Sequence, residues 1–163
     1  ILPAMALPRL KYVRYGADAA MRLTRTLLQG AQRNAIMRQT NVVIGFDVTK
    51  KQMIVLEDSD NDCVKDPGER QTSRVLEDGA RFKTPPTSIT GSAATEVNGS
   101  HMCMLNGVPA IQFLRDGATS TELEVYLTSS RGSKEDYRAI TVIQATGRVD
   151  AYRYNGSVWK RTN

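Results

Sequence analysis

A single apolar stripe running through about the first forty residues, followed abruptly by short alternating segments, limits what this chain can fold into. Val13, Ala17, Ala20, Leu23, Leu27, Ala31 and Ala35 recur at spacings of three and four, the period of a helix with one buried face. Leu28 and Ile36 widen the stripe, whereas Arg14, Asp18, Arg22, Arg25, Arg33 and Arg38 fall largely off it and are expected to face solvent. The expected helix runs from about Pro8 to Gln39 and is about 45 Å long. That is long for a domain of this size, so its first turns are expected to project beyond the body. Four alanines in the stripe let a flat surface approach closely.

Beyond Gln39 the period changes from 3.6 to 2. Asn41 to Val48 and Met53 to Leu56 read as a hairpin turning at Thr49–Gln52. A polar acidic loop follows, then a run from Arg74 to Phe82 that Gly79 interrupts. Residues 84–107 are rich in Ser, Thr, Gly and Pro and read as largely irregular. Ala110 to Leu114 forms a short strand ending at Asp116-Gly117. In Glu122 to Thr128, Leu123, Val125 and Leu127 point inward, and Glu122, Glu124 and Tyr126 outward. Arg138 to Gln144 and Val149 to Tyr154 join across Thr146-Gly147, with Trp159 close to the end. One long helix followed by antiparallel strands is an α+β layout with the helix on the sheet. At 163 residues the chain fits a single domain, read as a helix over 1–39 and a β-rich head over 40–163.

The chain has two cysteines, one histidine and a net charge of +5. Too few Cys and His ligands remain for a closed zinc site. Cys63 and Cys103 either form one disulfide, as they would outside the cytoplasm, or stay as two small buried thiols. The charge serves solubility or an anionic partner and says nothing of the fold. No apolar run of about 20 residues spans a membrane. The start, Ile1 to Leu7, is nonetheless apolar and turns basic at Arg9, Lys11 and Arg14. It reads either as the trailing end of a longer hydrophobic segment or as a frayed terminus.

Four segments resemble, in order and spacing, the FimT/GspH branch of the type IV pilin and type II secretion pseudopilin family. They are Ala6-Leu-Pro-Arg-Leu10; Leu27 to Ile36 with Arg38-Gln and Val42-Val-Ile; Ile111-Gln-Phe113 with Asp116-Gly117; and Ile140-Thr-Val-Ile, Gly147-Arg148-Val149 and Tyr152. The family's apolar half-helix, its early acidic residue and its signal peptide are missing, so truncation is expected; the alternative is a domain borrowed for a role outside any filament. The resemblance implies a pilin-like fold and a structural minor pilin or pseudopilin, of a type IV pilus or a type II secretion pseudopilus, that acts by filament assembly and initiation. Its implied partners are other pilins and, through the missing helix, the inner membrane. Its implied location is inner membrane and periplasm before assembly, then a periplasmic pseudopilus or surface pilus. Assembly falls to Ile1, Leu2, Leu7, Leu10, Val13 and Ala17, with Arg9, Lys11 and Arg14 near lipid phosphates.

Two further motifs stand out. From Asp58 to Glu69, oxygen-bearing residues Asp58, Asp60, Asp62, Asp66 and Glu69, with the Val64 carbonyl, follow the spacing of an EF-hand calcium loop. Cys63 replaces the glycine that the sharp turn prefers, and the flanks are strands, so a solvated acidic turn is the other reading. At the C-terminal end, Arg148, Arg153, Lys160 and Arg161 interleave with Tyr152, Tyr154 and Trp159. Cations among aromatics suit single-stranded nucleic acid, and some members of the resembled branch take up DNA through basic residues at the closing Gly-Arg hairpin. Here Asp150 stands where a second cation would help, and the alternative is a strand with basic outward side chains. Neither GxSxG, P-loop nor GxGxxG occurs, and His101 has no carboxylate partner by pattern. The reading is therefore not an enzyme.

Overall fold

A computed structural model describes residues 3–91, 97 and 100–162, with side chains described from residue 15 onward. Helix α1 (Pro3–Arg38) begins five residues before the expected Pro8. Pro8 lies near the helix start, where its missing N–H forfeits one bond. Among the described residues ten strands follow: β1 (Asn41–Asp47), β2 (Gln52–Asp58), β3 (Gln71–Val75), β4 (Arg81–Phe82), β5 (Cys103–Leu105), β6 (Val108–Phe113), β7 (Leu123–Thr128), β8 (Arg138–Val142), β9 (Val149–Tyr154) and β10 (Trp159–Thr162). They form two five-stranded antiparallel sheets, ordered β3-β2-β1-β6-β5 and β10-β9-β8-β7-β4. The helix packs on β1 and β6 of the first sheet and on β7, β8 and β9 of the second. This is the expected α+β arrangement, with the helix and both sheets sharing one core.

The buried helix positions, among the described side chains, are Gly16, Ala17, Ala20, Met21, Thr24, Leu28, Ala31 and Ala35. The stripe is therefore rotated from the expected one. Leu23 and Leu27 lie at its margin, and Ile36 is 44% exposed. Leu28, fully buried, is worth about 2 kcal/mol in removed apolar surface. Opposite the helix stand Val42, Ile44 and Phe46 from β1 and Leu123, Val125, Ile140 and Val142 from β7 and β8. All seven residues of β1 are buried, because the reverse face of its sheet has its own cover. There Val43, Ile54, Leu56 and Ala110 pack under Cys63 and Leu105.

Several expectations need correction. The run from Arg74 to Phe82 is divided between sheets, since β3 edges the first and β4 the second. Gly79 stands between them at φ +74°, a backbone region that favours glycine. Strands β5 and β10 arise where an irregular stretch and a chain end were expected. The largest difference concerns Glu124 and Tyr126, expected outside but 2% and 5% exposed. The segment after β4 crosses this face. Ile89 N–H donates to the Tyr126 hydroxyl (2.7 Å), Thr90 N–H to Glu124 Oε1 (3.2 Å), and Trp159 Nε1–H to the Thr87 carbonyl (2.8 Å). Tyr126 in turn donates to Glu124 Oε2 at 2.7 Å, so both buried polar groups are satisfied.

Candidate functional site

At one end of the molecule three separate sequence segments meet. Gln32 on α1 points its amide at two turns and donates to the carbonyls of Gly117 (2.9 Å) and Thr146 (2.8 Å). Gly147, at φ +67°, lies so close that a Cβ there would stand 2.0 Å from the Gly117 carbonyl oxygen. Thus the helix end, the Asp116-Gly117 turn and the Gly147-Arg148 hairpin form one junction. Sequence reading found each segment but missed Gln32. Nothing in the sequence singled it out, since Gln29 and Asn34 are amides in the same stretch.

At the other half of the helix, Asp18 is not solvent-facing as expected. Its carboxylate accepts from Arg138 Nε at 2.7 Å and pairs with Arg153 at 3.0 Å. Arg138 has only 5% of its side chain exposed and also donates to the carbonyls of Glu135 and Tyr137. The triad ties α1 to β8 and β9. Ala17, beside it, is fully buried in the fold. Ile1 and Leu2, and the side chains of Leu7, Leu10 and Val13, lie outside the described residues.

The acidic loop between β2 and β3 closes on its own backbone. Asp58, fully buried, accepts from Asn61 N–H (2.8 Å), Asp62 N–H (3.3 Å) and Cys63 N–H (2.8 Å). Burial pushes its carboxyl up and Asp60 adds to the push, against these lowering N–H bonds. Glu69 accepts from Ser59 N–H and Oγ and from Asp66 N–H, and the N–H bonds from Asp66 and Ser59 hold its carboxyl below the usual range. Asp66 is raised by desolvation and then by Asp60. Val64 donates its N–H to Asp62 Oδ1 at 2.8 Å. Carboxylate oxygens of Asp58, Asp60 and Glu69, and those of Asp60, Asp62 and Asp66, form two groups within 4.8 Å. Cys63 adopts φ +64°, the left-handed turn that glycine usually supplies. It is bonded to Cys103 of β5, with the Cα atoms 6.5 Å apart.

The four C-terminal cations do not form one patch. Arg148 and Arg161 both pair with Asp150. Strand alternation and the pairing of Lys160 with Arg153 put those two on the other face, where Arg153 pairs with Asp18. Tyr154 and Tyr126 pack against the Trp159 ring, with centroids 5.1 and 5.6 Å away.

Among the described residues no helix is long and apolar enough to cross a membrane. No curated protein matches this sequence. Solved structures share the fold. The minor pseudopilin EpsH from the type 2 secretion system of Vibrio cholerae has a TM-score of 0.60 at 12% identity, over 90% of this chain and 99% of that one. The type IV minor pilin FimU of Pseudomonas aeruginosa has a TM-score of 0.55 at 16% identity, over 83% and 87%. The family model of type II transport protein GspH matches residues 19–147, which includes the Gln32 junction, the acidic loop and most of the strands. The chain belongs to the GspH family of pilin-like minor pseudopilins and pilins.

Proposed function

We propose that this protein is a filament subunit that enters or initiates a pilus or pseudopilus, acting by assembly rather than by catalysis. The observation that carries the reading is the helix itself. It packs its small-residue face on both sheets from Ala17 to Ala35 and continues as a helix back to Pro3, through an apolar start. In this reading residues 1–39 hold the assembly surface and 40–163 the head. Ile1, Leu2, Leu7, Leu10 and Val13 pack against neighbouring helices, after a stage in which the subunit stands at the inner membrane and periplasm. The DNA-uptake alternative has less support, because its four cations occupy two faces and three of them are already ion-paired.

The test is Leu7→Asp with Leu10→Asp in the protein expressed in its host. Recovery in the sheared or co-purified filament fraction is expected to fall at least about tenfold, a cost of about 1.4 kcal/mol. The melting temperature of the head should not change. Normal recovery of this variant overturns the reading.

Calcium belongs to the same proposal as a ligand that stiffens the acidic loop, with Asp60, Asp62 and Asp66 completing a site that Asp58 and Glu69 frame. Its support is the pair of carboxylate groups and the turn at Cys63. Calcium at a hundred times its dissociation constant should add about 2.7 kcal/mol, read as a rise of several degrees in a thermal melt. An unchanged melt removes calcium from the reading and leaves assembly untouched.

A further inference from the structure

A cavity of about 330 Å³ lies between the middle of α1 and the β9–β10 edge. Arg22 and Arg25 from the helix and Arg153 from β9 line it, over a floor of Met21 and Ala151 and beside Thr162. It has no acidic lining residue. Arg22 and Arg25 have no ion-pair partner among the described residues, and the nearby Asp18 is committed to Arg138 and Arg153. Two guanidinium groups without an ion-pair partner, Arg22 and Arg25, beside a third, Arg153, that Asp18 already pairs, form an anion-accepting surface around one small cavity.

The same chain carries the complementary surface. Asp60 and Asp62 are exposed at the tip of the acidic loop and Asp66 is half-exposed. Asp60, Asp62 and Glu69 act on Asp66 as like charges, a repulsion that an incoming cation relieves. The loop leads into β3, the edge of the first sheet, while the cavity lies beside β10, the edge of the second. Because the two surfaces are different patches, copies that join them meet head to tail. Such a contact is heterologous and leaves a free surface of each kind, so it propagates as an open chain.

We propose that the acidic loop of one copy, in its calcium-free state and through Asp60 and Asp62, docks against Arg22 and Arg25 at the cavity of a second copy of this chain, so calcium competes with the contact and the test is run with a chelator present. This rests on the filament reading above and names a contact between heads within it. The contact is electrostatic and exposed, so it is weak and sensitive to salt.

The test is sedimentation velocity on the protein at concentrations up to about 1 mM, where a contact worth about 4 kcal/mol is populated. At about 20 mM salt the wild-type weight-average mass should rise with concentration past twice the monomer, and at about 300 mM salt it should return to the monomer. Arg22→Gln/Arg25→Gln and Asp60→Asn/Asp62→Asn each remove the charge of one surface and should be monomeric alone. Mixed, they should give a dimer and nothing larger, because each variant keeps the surface the other lost. A wild-type protein that stays monomeric at low salt overturns the proposal without reference to any variant. So does association that survives either double substitution, or a mixture that fails to dimerise. Vesicles of phosphatidylglycerol provide the remaining arm. If Arg22→Gln/Arg25→Gln abolishes vesicle binding while Asp60→Asn/Asp62→Asn self-associates like wild type, the cavity takes lipid phosphate and the proposal fails. The outcome is separate from filament entry, which the Leu7 and Leu10 substitutions read.

Discussion

Replacing Gly147 by alanine is expected to destabilise the protein by about 3–4 kcal/mol, near the top of the range for a single methyl group. Two costs add. An L-residue at φ +67° pays about 1 kcal/mol for the left-handed backbone. The new Cβ also lands 2.0 Å from the Gly117 carbonyl oxygen and 2.5 Å from Gln32 Nε2. The first is backbone of another turn and cannot rotate away. Relief requires the two turns to separate, which breaks both Gln32 hydrogen bonds at about 1 kcal/mol each. Gly156 is the internal control, since it sits at φ +96° with nothing within 4 Å of its Cβ position. Gly156→Ala should therefore cost only the backbone strain, about 1 kcal/mol. Urea unfolding with an unchanged m-value measures both. Equal midpoints for the two variants would show that the junction carries no stability of its own.

Removing the disulfide, by reduction or by Cys63→Ser/Cys103→Ser, is the second large effect. The bond closes a loop with a sequence separation of 40, and the chain-entropy model assigns such a loop about 4 kcal/mol. For a domain of this length that is a fall of about 8–16 °C in melting temperature. The loss acts in the unfolded state, where freed chain gains conformations, and also in the folded state. Cys63 is a lid on the small apolar cluster of Val43, Ile54, Leu56, Leu105 and Ala110, and it holds a left-handed turn that its own side chain disfavours. A thermal melt with and without reductant checks the expectation. Coincident melts would mean that Asp58 and its N–H bonds hold the loop unaided.

Local pattern reached part of this molecule. Residues three and four apart share a helix face whatever surrounds them, so Ala17, Ala20, Leu28, Ala31 and Ala35 were legible as a packing stripe. The Val-Val-Ile run of β1 and the alternation of β7 announced strands for the same reason. Alternation says which residues share a face, but not whether something covers that face. Glu124 and Tyr126 are buried by a segment of Ser, Thr and Pro that has no period of its own. Arg153 likewise met Asp18, 135 positions earlier in the sequence, and this divided four cations that look contiguous in sequence.

Periodicity alone indicated a long helix with a small-residue face and a β-rich head, because each residue carries its spacing with it into any fold. The family rested on something else, the resemblance of four segments to the FimT/GspH branch. Three-dimensional packing was needed to bring three of those segments together at Gln32, to bond Cys63 to Cys103 behind the first sheet, and to set the acidic loop and the Arg22–Arg25 surface beside different sheet edges. Such contacts depend on the relative placement of elements far apart in the chain, and no short-range period encodes that placement.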